Sequence, residues 1–289
     1  MKKKISVFDI INFIICGLIG LVCVYPFYYV VMASFSDPSK LMGHNGVLLA
    51  PLDSTLGAYE EIFKNELLVG SFRNTFLILF IGVALSMIVT TMAAYFFSRK
   101  DIMLQKPLFL LVLLTMFVSG GLVPLYLTVC DLGIDDTLWA VILPTAVSTY
   151  NLIVLRTGFM SVPESLIESA KLDGASDFTV FSKIVLPLSK APLAVILLYY
   201  LVENWNSWFN ASIFLRDKSL YPLQLVLRQI LLSNNTDSMM GGADVGDYES
   251  FSETLKYAII CISTVPMLLI YPFLQKHFAK GVMIGAVKG

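Results

Sequence analysis

Six long apolar runs, at about 9–33, 72–98, 107–130, 137–158, 191–215 and 254–275, constrain this chain more than any other feature. A helix needs roughly 20 mainly apolar residues to cross a bilayer, and each run is that long. Inside a bilayer the backbone must satisfy its own hydrogen bonds, so only helices and closed barrels span it. Barrel strands would read as short alternating segments, and these runs are too long and too continuously apolar for that. Composition agrees: the chain is 57% hydrophobic and 14% charged, where a soluble domain carries about a quarter charged residues. The first run follows Met1-Lys2-Lys3-Lys4, as a secretory signal would. Its apolar part exceeds the roughly 7–15 residues of a signal core, and no A-x-A site closes it, so it is expected to stay as a helix. The expectation is an all-α integral membrane protein with six transmembrane helices, in a single membrane domain spanning 1–289 with no visible repeat.

Lys and Arg set the orientation. With the N-terminus in the cytoplasm, the inner segments collect 13 of the 20 basic residues, among them Lys2, Lys3, Lys4, Arg99, Lys100, Lys171, Lys183 and Lys190. The positive-inside rule then predicts that both termini are cytoplasmic, in a multi-pass plasma-membrane protein. The net charge of −1 gives no reason to expect nucleic acid as a partner. Cys16, Cys23, Cys130 and Cys261 lie within or at the rims of apolar runs at no metal-ligand spacing, and read as small apolar residues. No metal site is expected. His44 and His277 have no neighbouring ligand or nucleophile, and no G-x-x-x-x-G-K-[ST] run binds nucleotide. No paired acids, Ser or Cys with a base, or H-E-x-x-H helix is present, so the isolated chain is not expected to be an enzyme.

Two outer loops are long, at about 34–71 and 216–253. The second contains YPLQLVLRQILL, where Leu223, Leu227, Ile230 and Leu231 recur at helical spacing and predict a short helix in the membrane interface. After it, SNNTDSMMGGADVGDYES reads as an exposed loop.

Between the fourth and fifth runs, at 159–190, lies a polar stretch that positive-inside counting places in the cytoplasm. Ser161-x-x-Glu164 has capping-box spacing, with Pro163 in the first turn. A helix starting there is expected to end at Leu172 or Asp173, with Gly174 supplying left-handed geometry. A second amphipathic segment would place Phe178, Phe181, Ile184 or Val185, and Leu188 on one face. Pro187 and Pro192 would then separate it from the fifth span. Taken alone, this helix–turn–helix could pack on its own bundle or dock a partner.

Here the residues resemble a family. Glu168-x-Ala170-x-x-Asp173-Gly174-Ala175, followed by Phe181-x-x-Ile184-x-x-Pro187, looks like the EAA loop of ABC importer permeases in residue types, spacing and position. Ser169 stands where many members have alanine, a small-for-small departure. SGGLVPLYL, LWAVILP, NWNSWFNA and the C-terminal GVMIGAVKG extend the resemblance over nearly the whole chain. They resemble the carbohydrate-type permeases, in particular the second permease subunit of maltose-like importers, in the branch associated with oligosaccharides including aldouronates. The resemblance implies a type I importer permease fold whose loop is a coupling helix seated on a cytoplasmic ATPase. Glu168 would pair with a basic residue there, Gly174 would allow the sharp turn, and Ala170 the close approach. The implied partners are a homologous second permease, two ATPase subunits that hold ATP and Mg, an extracytoplasmic solute-binding protein docked through loop 216–253, and membrane lipid. This chain would hold no cofactor of its own. The tail at 276–289 would otherwise read as a frayed end. The resemblance implies instead that it inserts between the ATPase subunits, with Gly285, Val287 and Gly289 as contacts.

Glu203 lies near the middle of the fifth run, where an ionisable side chain is costly. Asn206, Ser207 and Asn210 would share its helical face, flanked by Trp205 and Trp208. Such a face suits a sugar, which offers hydroxyls to hydrogen-bond and ring faces to stack, but the same residue types also glue helices together. Trp208 could equally belong to an interfacial belt. Tyr150 and Asn151 are weaker candidates for the same path. Ser119-Gly120-Gly121 and Pro124 interrupt the third run, compatible with a cavity lining or a packing kink. A uronate-containing oligosaccharide follows only from the branch resemblance, and a face carrying Glu203 without a cation argues against an acidic cargo held by this subunit alone. A polyol or glycerol-phosphate cargo is the alternative within the family. An ATP-independent secondary transporter is the alternative outside it, disfavoured by a single buried acid and no visible repeat.

Overall fold

A computed structural model describes residues 7–232, 254–270 and 272. Every regular element among them is helical. The chain divides into two compact units, one built from Met1–Val69 and Leu227–Val265, the other from Gly70–Val226 and Pro266–Gly289.

In the first unit, α1 (Val7–Ser34) is long and apolar, and its side chains are exposed from Val7 to Val24, with burial only at Ala33 and Ser34. The segment after it is ordered by polar links rather than by length of helix. Asp37 caps α2 (Pro38–Met42) by accepting from the Ser39 and Lys40 amides. The Leu48 amide donates to the Tyr25 hydroxyl at 3.0 Å, and the Tyr28 hydroxyl donates to the Leu49 carbonyl at 2.6 Å. Ala33, Leu41 and Leu48 form a small core with Tyr29 and Tyr257 against it. α3 (Gly57–Lys64) follows, and the Tyr59 hydroxyl lies 2.8 Å from Ser34 Oγ.

The second unit is threaded by α4 (Glu66–Ser98), which enters it at Gly70. The apolar runs that follow are not straight spans. The 107–130 run breaks into α5 (Gln105–Phe117) and α6 (Leu122–Asp131), bent by 115°. Gly121 sits there at φ +86°, a conformation that costs an L side chain energy. The 137–158 run divides into α7 (Leu138–Ile142), a 3₁₀ turn at Leu143–Thr145 and α8 (Thr149–Met160), bent by 49°. The 191–215 run, expected as one helix, is α12 (Lys190–Trp205) and α13 (Trp208–Phe214), parted at Asn206 and Ser207. Among the described residues, α1 and α4 alone are long and apolar enough to cross a membrane unbroken, and up to five spans result if the bent pairs within 105–131, 138–160 and 177–205 each count as one. The sixth run contains the shorter apolar helix α15 (Thr254–Ile270). Between α8 and α12 lie α9 (Glu164–Leu172), α10 (Asp177–Val180) and α11 (Leu186–Leu188). The predicted amphipathic helix of the 216–253 loop is α14 (Leu223–Leu232), with Leu223, Leu227 and Ile230 buried and Leu231 exposed.

The core of this unit is set by close helix approach. A Cβ at Gly158 of α8 would lie 2.6 Å from Pro192 Cγ of α12, and one at Gly82 of α4 would lie 2.3 Å from Asn204 Oδ1. Small residues at such crossings let backbones approach where lipid offers no hydrophobic driving force. Fully buried Tyr200 ties three elements together. Its hydroxyl lies 2.6 Å from Thr90 Oγ1 of α4 and accepts at 3.1 Å from the Ser148 amide, which the break before α8 leaves without a helical partner.

Candidate functional site

The candidate site is the elbow formed by α9 and α10. Its entry differs from expectation. Pro163 occupies the N-cap of α9 without a side-chain bond, and Ser161 Oγ instead donates to the Gly158 carbonyl at 2.6 Å, capping the end of α8. The capping box therefore does not form. Glu164 still sits in the first turn, favourable to the helix dipole, and accepts from Lys100 Nζ at 3.3 Å.

The exit is a Schellman turn. The Ala175 amide donates to the Ala170 carbonyl at 2.9 Å and the Gly174 amide to the Lys171 carbonyl at 3.0 Å, with Gly174 at φ +83°. Ser176 then caps α10, its Oγ accepting from the Thr179 amide at 3.2 Å. Next comes a π-helical turn, Phe181–Val185, running into Pro187. A π turn adds a residue to the repeat, so Val180 and Val185, five apart, both point inward and are buried. This corrects the expected face: Phe178 is 74% exposed and Leu188 57% exposed, while Phe181 and Ile184 pack on the core. Pro187 lies within α11, and Pro192 in the first turn of α12, so neither is the break between segments. That break is at Ser189, where the axis turns by 84°.

The motif residues sort into two sets. Ala170, Ala175, Phe181 and Ile184 pack inward against the core, with Phe181 4.9 Å from the Tyr95 ring and 6.5 Å from the Phe159 ring. Glu168, Ser169, Asp173, Gly174 and Pro187 face outward. Beside them stands Leu172, 88% exposed at the end of α9. Sequence reading passed over Leu172, although its spacing of five from buried Ile167 puts it on the far side of a helix.

Ion pairs fix the elbow to the end of α4. Asp101 Oδ2 accepts from Lys171 Nζ at 2.8 Å and from Arg99 Nη2 at 3.2 Å, and Lys171 also pairs with Asp177 of α10 at 3.3 Å. Lys171 first, then Arg99, holds the Asp101 carboxyl down at about 2, and the same pairing raises the Lys171 ammonium. Sequence reading missed this network because Asp101 is 70 residues from Lys171. The result is a two-helix elbow whose outer surface is acidic and polar around exposed Leu172, with Phe178 exposed on α10, and whose inner surface is bolted to the bundle.

The second candidate locus lies at the α12–α13 break. Glu203 and Asn206 are exposed, and Trp208 and Asn210 are half-buried. Because the helix stops at Trp205, the single continuous face expected from Glu203 to Asn210 is interrupted. Trp205 and Asn204 are buried. Asn151 is buried at 3% exposure, inside the fold, whereas Tyr150 is half-exposed and lies 6.2 Å from Tyr199. Gly285, Val287 and Gly289 lie outside the described residues. Among the described residues, no group of three or more His, Cys, Asp or Glu is placed to hold a metal ion.

The sequence profile described as "Binding-protein-dependent transport system inner membrane component" matches residues 82–284, a segment that includes the whole elbow. The chain belongs to this family. Family members are transport permeases and not catalytic subunits. Over its full length this permease is 41% identical to the polygalacturonan/rhamnogalacturonan transport system permease protein YtcP of Bacillus subtilis (strain 168), with both chains completely covered. It is 38% identical to the protein LplC of the same organism, covering 99% of this chain and 97% of that one. Its fold matches that of a bacterial ABC transporter involved in the import of the acidic polysaccharide alginate, with a TM-score of 0.88 and 30% identity over 94% of this chain and 96% of that chain. The fold is thus that of a type I ABC importer permease, all helical among the described residues.

Proposed function

We propose that this permease is one half of the translocation path of a binding-protein-dependent ABC importer for uronate-containing oligosaccharides. The observation that carries the cargo class is the full-length similarity to a permease named for polygalacturonan and rhamnogalacturonan transport, supported by the likeness to an alginate importer. In this reading the chain crosses the plasma membrane six times with both termini inside. The α9–α10 elbow is then cytoplasmic and seats on an ATPase subunit, which binds ATP and Mg²⁺. A homologous second permease completes the path, two ATPases power it, and an extracytoplasmic solute-binding protein delivers the sugar.

The elbow's exposed set, Glu168, Ser169, Asp173 and Gly174, with Leu172, would meet the ATPase, while Ala170, Ala175, Phe181 and Ile184 would hold the elbow rigid. Packed elements transmit rigid-body displacement, which a loose loop would absorb. Gly285, Val287 and Gly289 of the tail would contact the ATPase pair. Glu203, Asn206, Trp208, Asn210 and Tyr150 would line the sugar path, with Asn151 supporting it from inside the fold.

Purification of the assembled complex in mild detergent tests the reading. ATPase and second permease should co-purify with the wild type, and Glu168→Arg with Leu172→Glu should lose the ATPase while keeping the second permease. In proteoliposomes, the cognate binding protein loaded with an oligogalacturonate should stimulate ATP hydrolysis, and a neutral oligosaccharide of equal length should not. Equal stimulation by both sugars would overturn the cargo class. Absence of any ATPase from the complex would overturn the importer reading itself.

A further inference from the structure

Beside the elbow, α4 and the segment from α10 to α12 enclose a groove of about 820 Å³. Its length follows from the helices that line it. Met87 to Tyr95 on α4 and Lys190 to Leu197 on α12 each span about 10–12 Å at roughly 1.5 Å per residue. The walls are apolar apart from Thr91, whose hydroxyl donates to the Met87 carbonyl, and charge enters at one end, where Tyr95, Asp177 and Lys190 meet the groove. Of the two charges there, Asp177 is already engaged by Lys171 at 3.3 Å. Lys190 is exposed and makes no ion pair among the described residues. The groove therefore asks for an occupant that is apolar along its length and anionic at one end.

We propose that this groove binds an anionic phospholipid of the inner leaflet, its acyl chain lying between α4 and α12 and its phosphate at Lys190. The inference rests on the membrane orientation of the proposed importer, which puts the polar end of the groove at the cytoplasmic surface. There the headgroup layer carries negative charge, and basic side chains between helices attract it. A lipid satisfies both demands of the site at once, and the bilayer supplies it at high local concentration. Phe178, 74% exposed, and Phe181 both line the groove and belong to the elbow. The bound chain would complete the packing that the elbow leaves open on its membrane side.

Native mass spectrometry of the assembled transporter tests this, after equilibration with an equimolar mixture of phosphatidylglycerol and phosphatidylethanolamine of matched chains. The wild type should retain phosphatidylglycerol in preference. Lys190→Gln should reduce the ratio of the two adducts by roughly fivefold, the effect of one basic side chain near a charged surface. Ala194→Phe, which fills the groove from α12, should reduce both adducts. Equal retention of the two lipids by the wild type, or an unchanged ratio in Lys190→Gln, would overturn the proposal. So would a photo-crosslinker at Leu193 that captures the second permease instead of lipid. The ATPase content of the same preparation reports separately on the importer reading, so a complex without ATPase that still shows the lipid preference would overturn that reading and leave this one standing.

Discussion

Gly174 turns the elbow by itself: at φ +83° it adopts a backbone that an L side chain reaches only at a cost of about 1–2 kcal/mol. No heavy atom would come within 4 Å of an added Cβ, so crowding adds nothing to that cost. Gly174→Val should therefore loosen the turn, and Gly174→Asn, which tolerates the left-handed region, should loosen it less. Hydrogen exchange at the Ala175 amide, which donates to Ala170, should rise most in the valine variant and less in the asparagine one; equal exchange in both would contradict the account. Asp101 gives a second expectation, with a definite sign. Its folded carboxyl titrates at about 2, below the usual 3.8, so its contribution to stability is full above pH 4 and is lost as pH falls through about 2. Lys171 is raised, so its contribution is full below about 10.5 and is lost only as pH rises through its higher folded value. Both groups are part-exposed, and pairs of this kind are worth about 0.2–1 kcal/mol. Asp101→Asn should lower Tm slightly and by a constant amount from pH 5 to 9, with the gap closing below pH 4. A gap that changes between pH 5 and 9 would show that some other group controls it.

Among elements, close approach decides more than polarity. Gly158 packs so tightly on Pro192 that Gly158→Ala must push α8 from α12, since a proline ring cannot swing aside. Overpacking of that kind costs about 1–3 kcal/mol. Gly70, helical and with open space where an added methyl would sit, supplies the contrast. There Gly70→Ala should stabilise by up to about 1 kcal/mol through helix propensity. Thermal unfolding in one detergent should show opposite signs for the two substitutions, and the same sign for both would defeat the packing account. The elements also show what the sequence made legible. Gly174 between two amphipathic segments announced its turn, and Ser119-Gly120-Gly121 announced the break between α5 and α6. No such punctuation marks Asn206-Ser207, where polar residues with ordinary helical tolerance end α12 after Trp205. The π turn at Phe181–Val185 was equally silent, because a one-residue insertion leaves composition unchanged while moving Phe178 and Leu188 off the buried face. The ion pairs of the elbow were hidden for a different reason: they join Lys100 and Asp101 to α9 across 64 and 70 positions of sequence.

For the whole molecule, the six-crossing reading makes a demand that broken helices sharpen. If 107–130 and 137–158 are each one span despite bends of 115° and 49°, the elbow and the α6–α7 turn must face opposite aqueous compartments. The α6–α7 turn offers an exposed probe position at Lys218, since Asp136 of that turn accepts from the Arg216 and Asp217 amides at 2.7 and 2.9 Å and so holds the segment after α13 beside it. The elbow offers Leu172. In a background with Cys16, Cys23, Cys130 and Cys261 replaced by serine, Lys218→Cys should react with a membrane-impermeant maleimide on intact cells. Leu172→Cys should react only after the membrane is opened, and it should be shielded when the ATPase is bound. Labelling of both positions from outside would mean that both runs flanking the elbow, 137–158 and 191–215, return to the face they left, and the elbow would then lie where no cytoplasmic ATPase could reach it. Labelling of Leu172→Cys from inside with no protection by the ATPase would keep the topology and move the docking surface elsewhere on the elbow.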